Sequence, residues 1–225
     1  MAAAGTLPTQ QPISCRKDHT AVTVDAGQLD AYADGHLLAL DSPPVDEATG
    51  RSCRRAFAAF IGGSPRTRQL TLLRPVWVLP SFESWLDGAS WFRCDAVLLA
   101  GQGRLAALPG GAGSLRGVLD GAALPPRRYG RCSAGVPGAR GSSERPCSRP
   151  HAWRAVAVVD VAPAGARGPA APYPGRKAAA ARASDRCERI ATRAQGRTRF
   201  RYTAQIPTAA DWRAGQRTGS CWLPD

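Results

Sequence analysis

Seven cysteines and three histidines carry most of the reactive chemistry in this 225-residue chain, and two of each recur in one phrase, Cys15-x3-His19 and Cys147-x3-His151. Thiol and imidazole at that spacing suit half a zinc site, a nucleophile beside a base, or a disulfide with a histidine anchoring the loop next to it. Zinc takes four ligands, usually from paired short-spaced clusters. No second pair of the kind Cys-x2-Cys or His-x3-His is present, so no metal is expected. A cysteine nucleophile needs an unpaired thiol beside a base. The hydrolase and nucleotide signatures Gly-x-Ser-x-Gly, His-Glu-x-x-His and the P-loop are absent. Disulfide chemistry is therefore the expectation, with His19 and His151 hydrogen-bonding the loop that leads into a strand.

Both phrases belong to a longer repeat. Pro207, Trp212, Gly215 and Cys221 stand at the same spacings as Pro80, Trp85, Gly88 and Cys94. Agreement of four constrained residue types in register marks an internal duplication. Each copy also carries one cysteine inside a helix-like segment, Cys53 and Cys187, and only Cys132 lacks a counterpart. Four cysteines in the second copy allow three connectivities. The pairing expected is Cys147 with Cys187 and Cys132 with Cys221, because a cysteine beside a strand and a helical one packed on that strand come within bonding reach. By repetition Cys15 pairs with Cys53, and Cys94 is left as a free thiol.

Elements must place these groups. Residues 20–24 and 154–161 read as the strands after each histidine. Residues 46–60 put Ala48, Cys53, Ala56, Phe57 and Phe60 on one helix face before the Gly62-Gly63 stop, and the alanine-rich 175–194 is the equivalent helix before Gly196. Pro75 demotes 69–79 to an edge strand or a bulge. Residues 199–206 alternate as its counterpart. Ser81 and Thr208 are helix-cap types opening short turns that carry Trp85 and Trp212 onto the core, and Gly88 and Gly215 let the chain reverse. Residues 90–99 and 216–223 are the closing strands. Residues 104–108 and 115–119 are short strand candidates, and the Gly-, Ser-, Pro- and Arg-rich 127–149 reads as a surface loop bracketed by Cys132 and Cys147. The domain reading is a flexible lead over 1–14, a first module over 15–100, a connecting segment or first strands of the second module over 101–131, and a second module over 132–225. The fold class is α+β: two related modules, each a small, mostly antiparallel sheet with one packed helix, stapled by disulfides.

Charge divides the copies. Residues 1–100 hold 9 Lys/Arg against 10 Asp/Glu, and residues 101–225 hold 21 against 7. The net charge of +13 thus lies in the second copy, where a basic face would concentrate anionic partners. No helix-turn-helix, zinc-finger or RNP-like pattern accompanies it, which leaves nucleic acid a minor alternative. Disulfides imply an extracytoplasmic compartment. Residues 1–11 lack the charged start and apolar core of a secretory signal, and no stretch of about 18 apolar residues offers a membrane span. The expectation is a secreted protein or one anchored through a segment outside this sequence.

With these residues in view, the chain resembles the septum-formation domain family of actinobacterial cell-envelope proteins. Cys147-Ser148-Arg149-Pro150-His151 and Pro207-Thr208 through Trp212, Gly215, Arg217 and Cys221 carry the likeness, while the first copy has Asp18 in place of the proline and a variant closer, Trp85 to Asp95. The resemblance implies an extracytoplasmic module in septum and division biology, with no catalytic residues to carry over and no cofactor. The function expected is non-enzymatic binding or scaffolding, with an anionic envelope component or a division-machinery protein as partner. An envelope enzyme acting on wall polymer is the alternative; it would set His19 or His151 beside a carboxylate such as Asp25 or Asp160.

Overall fold

The computed structural model describes residues 13, 14, 16–101, 103–108, 115–166, 171–195, 201–213 and 215–225. Two compact units alternate along the chain. The first comprises Met1–Ser64, Leu73–Leu99 and Arg104–Gly121, and the second Pro65–Leu72, Ala100–Gly103 and Ala122–Asp225. This division departs from the expected boundaries at two places. Residues 65–72 leave the first module for the second unit, and most of the segment 101–131 closes the first unit instead of opening the second.

The chain begins with β1 (Ala21–Gln28), the hairpin β2 (Tyr32–Ala33) and β3 (His36–Leu37), and helix α1 (Pro43–Ile61). A short helix α2 (Pro65–Gln69) follows, then β4 (Leu73–Val78), the turn helix α3 (Phe82–Leu86), β5 (Trp91–Gly101) and β6 (Arg104–Ala106). In the first unit the sheet order is β1-β5-β4 with β6 also on β5, and β1 and β4 both run antiparallel to β5. Pro75 lies in β4, an edge strand, where its missing N–H costs no ladder bond.

Helix α1 forms because prolines fill its first two positions, where no intrahelical donor is needed, and because Val45, Thr49, Cys53, Phe57 and Phe60 recur on one face and are buried. Its last carbonyls lack intrahelical partners. The segment after β6 supplies them: Gly117 N–H donates to Phe60 O at 2.8 Å and Leu119 N–H to Ile61 O at 3.0 Å. Asp120 Oδ1 accepts from Gly63 N–H at 3.1 Å. Leu115 and Leu119 are buried there in turns, so residues 115–119 are a helix-end clasp and not the strand expected.

The second unit continues with β7 (Arg131–Ser133), β8 (Glu144–Pro146), β9 (Trp153–Asp160), helix α4 (Arg176–Gln195), β10 (Thr203–Gln205), the turn helix α5 (Ala209–Arg213) and β11 (Thr218–Pro224). Its antiparallel sheet runs β10-β11-β9-β7-β8. The loop expected over 127–149 is largely the β7–β8 hairpin. Ala179, Ala183, Cys187 and Ala191 face the sheet from α4. A second cluster joins Trp153, Ala155, Val158 and Trp222 with Leu70 from the α2 segment. Leu72 N–H donates to Tyr129 O at 2.8 Å and Arg131 N–H to Leu70 O at 2.9 Å, which explains why residues 65–72 belong here. The fold is α+β, as expected.

The duplication is topological. β9, α4, β10, α5 and β11 repeat β1, α1, β4, α3 and β5, with the last strand lying between the other two repeated strands in each sheet. The irregularity is repeated too: the β1–β5 register slips between Thr23 and Asp25, and the β9–β11 register slips between Cys221 and its neighbour Trp222, which pair with Ala157 and Ala155. Val24 and Val156 are thus the extra residues of one bulge made twice.

Candidate functional site

The disulfides correct every pairing expected from the sequence. Cys53 bonds Cys94 (Cα–Cα 5.2 Å), Cys187 bonds Cys221 (5.3 Å) and Cys132 bonds Cys147 (5.0 Å). Cys94 is therefore no free thiol. The physical reason is strand order: the helical cysteine meets the strand that lies between the other two repeated strands, and that strand is the last of each copy rather than the one after the histidine. Cys132 and Cys147 instead close the β7–β8 hairpin beside Gly130, where an added Cβ would lie 3.0 Å from the Cys147 sulfur. Cys15 lies outside the described residues, as do most of the lead 1–14 and the helix stop at Gly196; its expected partner Cys53 is taken.

The Pro-Trp-Gly closers form the same device in each unit. Ser81 Oγ accepts from Ser84 N–H at 3.2 Å. In the second unit Thr208 Oγ1 accepts from Asp211 N–H at 3.1 Å while Asp211 Oδ2 accepts from Thr208 N–H at 2.9 Å, a reciprocal capping box. Those bonds from the Thr208 backbone and hydroxyl hold the Asp211 carboxyl below the usual range. The turns seat Trp85 and Trp212, both buried. Each indole N–H donates at 2.8 Å to a carbonyl of the loop before the helix, Leu38 and Ala171 respectively. Gly88 and Gly215, after Pro80 and Pro207 in the motif, take φ of +91° and +92°, the left-handed region that lets the chain reverse without Cβ strain.

The histidines repeat as well. His19 Nδ1 bonds Lys17 O at 2.8 Å, and His151 Nδ1 bonds Arg149 O at 2.6 Å. His151 goes further: its Nε2 lies 2.9 Å from Asp225 Oδ2, which also pairs with Arg127 at 3.1 Å. The bond from His151, opposed by partial burial and helped by Arg127 and Arg154, holds the Asp225 carboxyl below its usual range. Both ring nitrogens of His151 are engaged, Nδ1 with Arg149 O and Nε2 with Asp225 Oδ2 and, at 3.3 Å, Arg127 Nη2. Asp25 instead accepts from Ala26 N–H, and Asp160 from Ala162 N–H, so neither carboxylate foreseen beside a histidine is there. Cys132, Cys147 and His151 bring their ligand atoms within 4.8 Å of one another, yet the two sulfurs are spent on each other and both imidazole nitrogens are engaged. The cluster is a stapled loop.

The remaining chemistry is cationic. Counted by unit, the first carries 9 Lys/Arg against 11 Asp/Glu and the second 21 against 6. Helix α4 contributes Arg176, Lys177, Arg182, Arg186, Arg189 and Arg193. Arg182, Arg186 and Arg189 line a cleft of about 440 Å³ together with Asp160, residues 162–165 and Asp185. Sequence reasoning located the charge but not this stripe, although the 4- and 3-residue spacing was a signal for one helix face.

Two separated stretches of the chain, residues 1–94 and 129–224, match one family model, that for septum formation. The chain belongs to the septum-formation family. The matched stretches coincide with the two copies that share strand order, bulge and staple, so the family's module is present twice. Neither the curated proteins nor the solved structures give a match. Three disulfides fit an extracytoplasmic setting for this family member. Among the described residues no helix is long and apolar enough to cross a membrane.

Proposed function

We propose that this septum-formation protein is a non-catalytic extracytoplasmic module that holds an anionic component of the cell envelope through its second unit. The observation that carries the reading is the division of charge, −2 against +15 between units built on one topology. An envelope of anionic polymers and headgroups would draw the second unit by long-range attraction that weakens with salt. The first unit, nearly neutral, would remain available for a protein partner.

The test uses the full chain. Retention on isolated anionic wall material is measured against rising salt for the parent protein, for Arg176→Gln/Lys177→Gln/Arg193→Gln on α4, and for Arg51→Gln/Arg54→Gln/Arg55→Gln on α1. The α4 variant should elute at clearly lower salt and the α1 variant close to the parent. Equal losses from both helices would sink the reading.

A further inference from the structure

The cleft on α4 has chemistry that general basicity does not require. Arg182, Arg186 and Arg189 follow at i, i+4 and i+7 along the helix and border its buried face. Arg189 is neutralised by Asp185 at 2.8 Å. Arg186 Nη1 donates to the Asp160 carbonyl at the end of β9, which fixes that guanidinium against the strand. Arg182 Nη1 is buried and has no hydrogen-bond partner. A buried donor left unmade is costly, and most such donors in native proteins are satisfied. The opposite wall is the turn in which Ala166 N–H donates to Pro163 O at 3.1 Å, with Gly165 at φ +82°, where a larger residue would be strained. In the first unit the positions matching Arg182 and Arg186 are Ala48 and Ser52, while Arg189 matches Arg55, so the Arg182–Arg186 pair is not part of the repeated scaffold.

We infer that this cleft is a binding site for a phosphoryl oxyanion carried on a small polyol or sugar. The inference rests on the reading of the second unit as the anion-contacting side and narrows it to one place. Guanidinium groups match phosphate oxygens in planar, two-pronged fashion. Arg182 supplies the unsatisfied donor, Arg186 the anchored second charge. Arg189 is already paired with Asp185 and tunes the field. A cleft of about 440 Å³ exceeds what a phosphoryl group alone fills and leaves room for its carrier.

Titration of the full chain with glycerol 3-phosphate, and separately with acetate at matched ionic strength, is followed through arginine Nε–H and backbone amide NMR signals. Saturable shifts centred on Arg182, Arg186 and residues 162–165 are expected with glycerol 3-phosphate and not with acetate. Arg182→Gln should weaken binding about tenfold or more, the size of one charge-assisted hydrogen bond, with the disulfides and the rest of the spectrum unchanged. Should that variant disturb the fold, Arg182→Lys, which keeps the charge and loses the fork, serves in its place and should weaken binding less. Shifts spread evenly over all arginines, an equal response to acetate, or undiminished affinity in both Arg182 variants would overturn the site. A second arm sediments the protein with phosphatidylcholine vesicles containing or lacking phosphatidylglycerol. Where glycerol 3-phosphate binds, Arg182-dependent sedimentation upholds the site with a lipid headgroup as the source, and Arg182-independent sedimentation upholds it with a soluble or polymer-borne ester. Arg182→Gln leaves the charge on the rest of α4 in place. Salt-sensitive wall retention by that variant, with no glycerol 3-phosphate binding in the parent, would remove the cleft while leaving the broader reading intact.

Discussion

Between β1 and β5 the pair two residues beyond the staple is Gly27 and Phe92; between β9 and β11 the same positions hold Val159 and Gly219. A Cβ on Gly27 would fall 2.8 Å from the Phe92 ring, and one on Gly219 would fall 2.6 Å from Gln205 O. Large and small have traded sides of one strand pair. On the other sheet face, Asp95 in the first unit is buried and held by Thr23 Oγ1 at 2.8 Å and by Arg93 at 2.9 Å. Its counterpart in the second is Trp222, fully buried, with its indole N–H on Ser220 Oγ at 3.0 Å. The helices differ in the same sense, α1 burying Val45, Thr49 and Phe57 where α4 buries Ala179, Ala183 and Ala191, although the staples hold helix and strand at nearly equal Cα separations of 5.2 and 5.3 Å. What the two units share is therefore the backbone path and the points that pin it. Core composition and surface charge are free to diverge around them.

If the staples are the shared pins, removing either should cost about the same. Cys53→Ala/Cys94→Ala and Cys187→Ala/Cys221→Ala open loops separated by 41 and 34 residues in sequence, each worth about 4 kcal/mol by loop entropy. Hydrogen exchange resolved by unit checks this, and a staple whose loss leaves its unit unchanged would break the comparison. The same preparations sharpen the cysteine assignment: alkylation of the parent without reduction should mark Cys15 and leave Cys94 unmodified.

For the traded pair the quantity that tests the comparison is a coupling, smaller than the loss of a staple. Phe92→Gly alone should lose about 3–5 kcal/mol, the usual cost of emptying an aromatic site. Gly27→Val alone should lose about 1–3 kcal/mol by overpacking. The double variant imports the arrangement of the second unit and should lose less than the sum, by about 1 kcal/mol or more of favourable coupling. Strict additivity in denaturant titrations would show that the two positions do not compensate.

The smallest difference is in acid. Asp211 and Asp225 are held below their usual range by bonds from Thr208 and His151; the matching positions of the first unit are Ser84 and Leu98, which do not titrate. Carboxyls more acidic folded than unfolded add stability that is fully present above about pH 4 and is lost as the pH falls through the folded values. Amide exchange should therefore show the second unit loosening before the first as pH drops below 4, and Thr208→Ala with His151→Gln should bring them level. Loosening of the first unit ahead of the second would contradict the assignment.

The repeat, the helices, the edge position of β4 and the Trp-Gly closers were legible because each rests on local rules: spacing, capping and left-handed glycine. The staples were misread because pairing depends on strand order, and no local pattern near Cys53 or Cys187 records that β5 and β11 end up between the other two repeated strands. The clasp over α1 escaped for a related reason. Leu115 and Leu119 look like strand residues, and only the unpaired carbonyls of Phe60 and Ile61 call for donors there. The arginine stripe of the cleft was present as spacing but hidden among so many arginines.

The alternation of segments between the units bears on how the chain is made. As it emerges from the ribosome, residues 65–72 appear long before the β9 and β11 strands whose Trp153 and Trp222 pack with Leu70. The first unit in turn waits for residues 115–121 to cap its helix. Each unit thus holds a place for sequence synthesised on the far side of a piece of the other: the first cannot close until residues 65–72 and 100–103 have passed, and the second keeps its earliest segment waiting until the chain is complete.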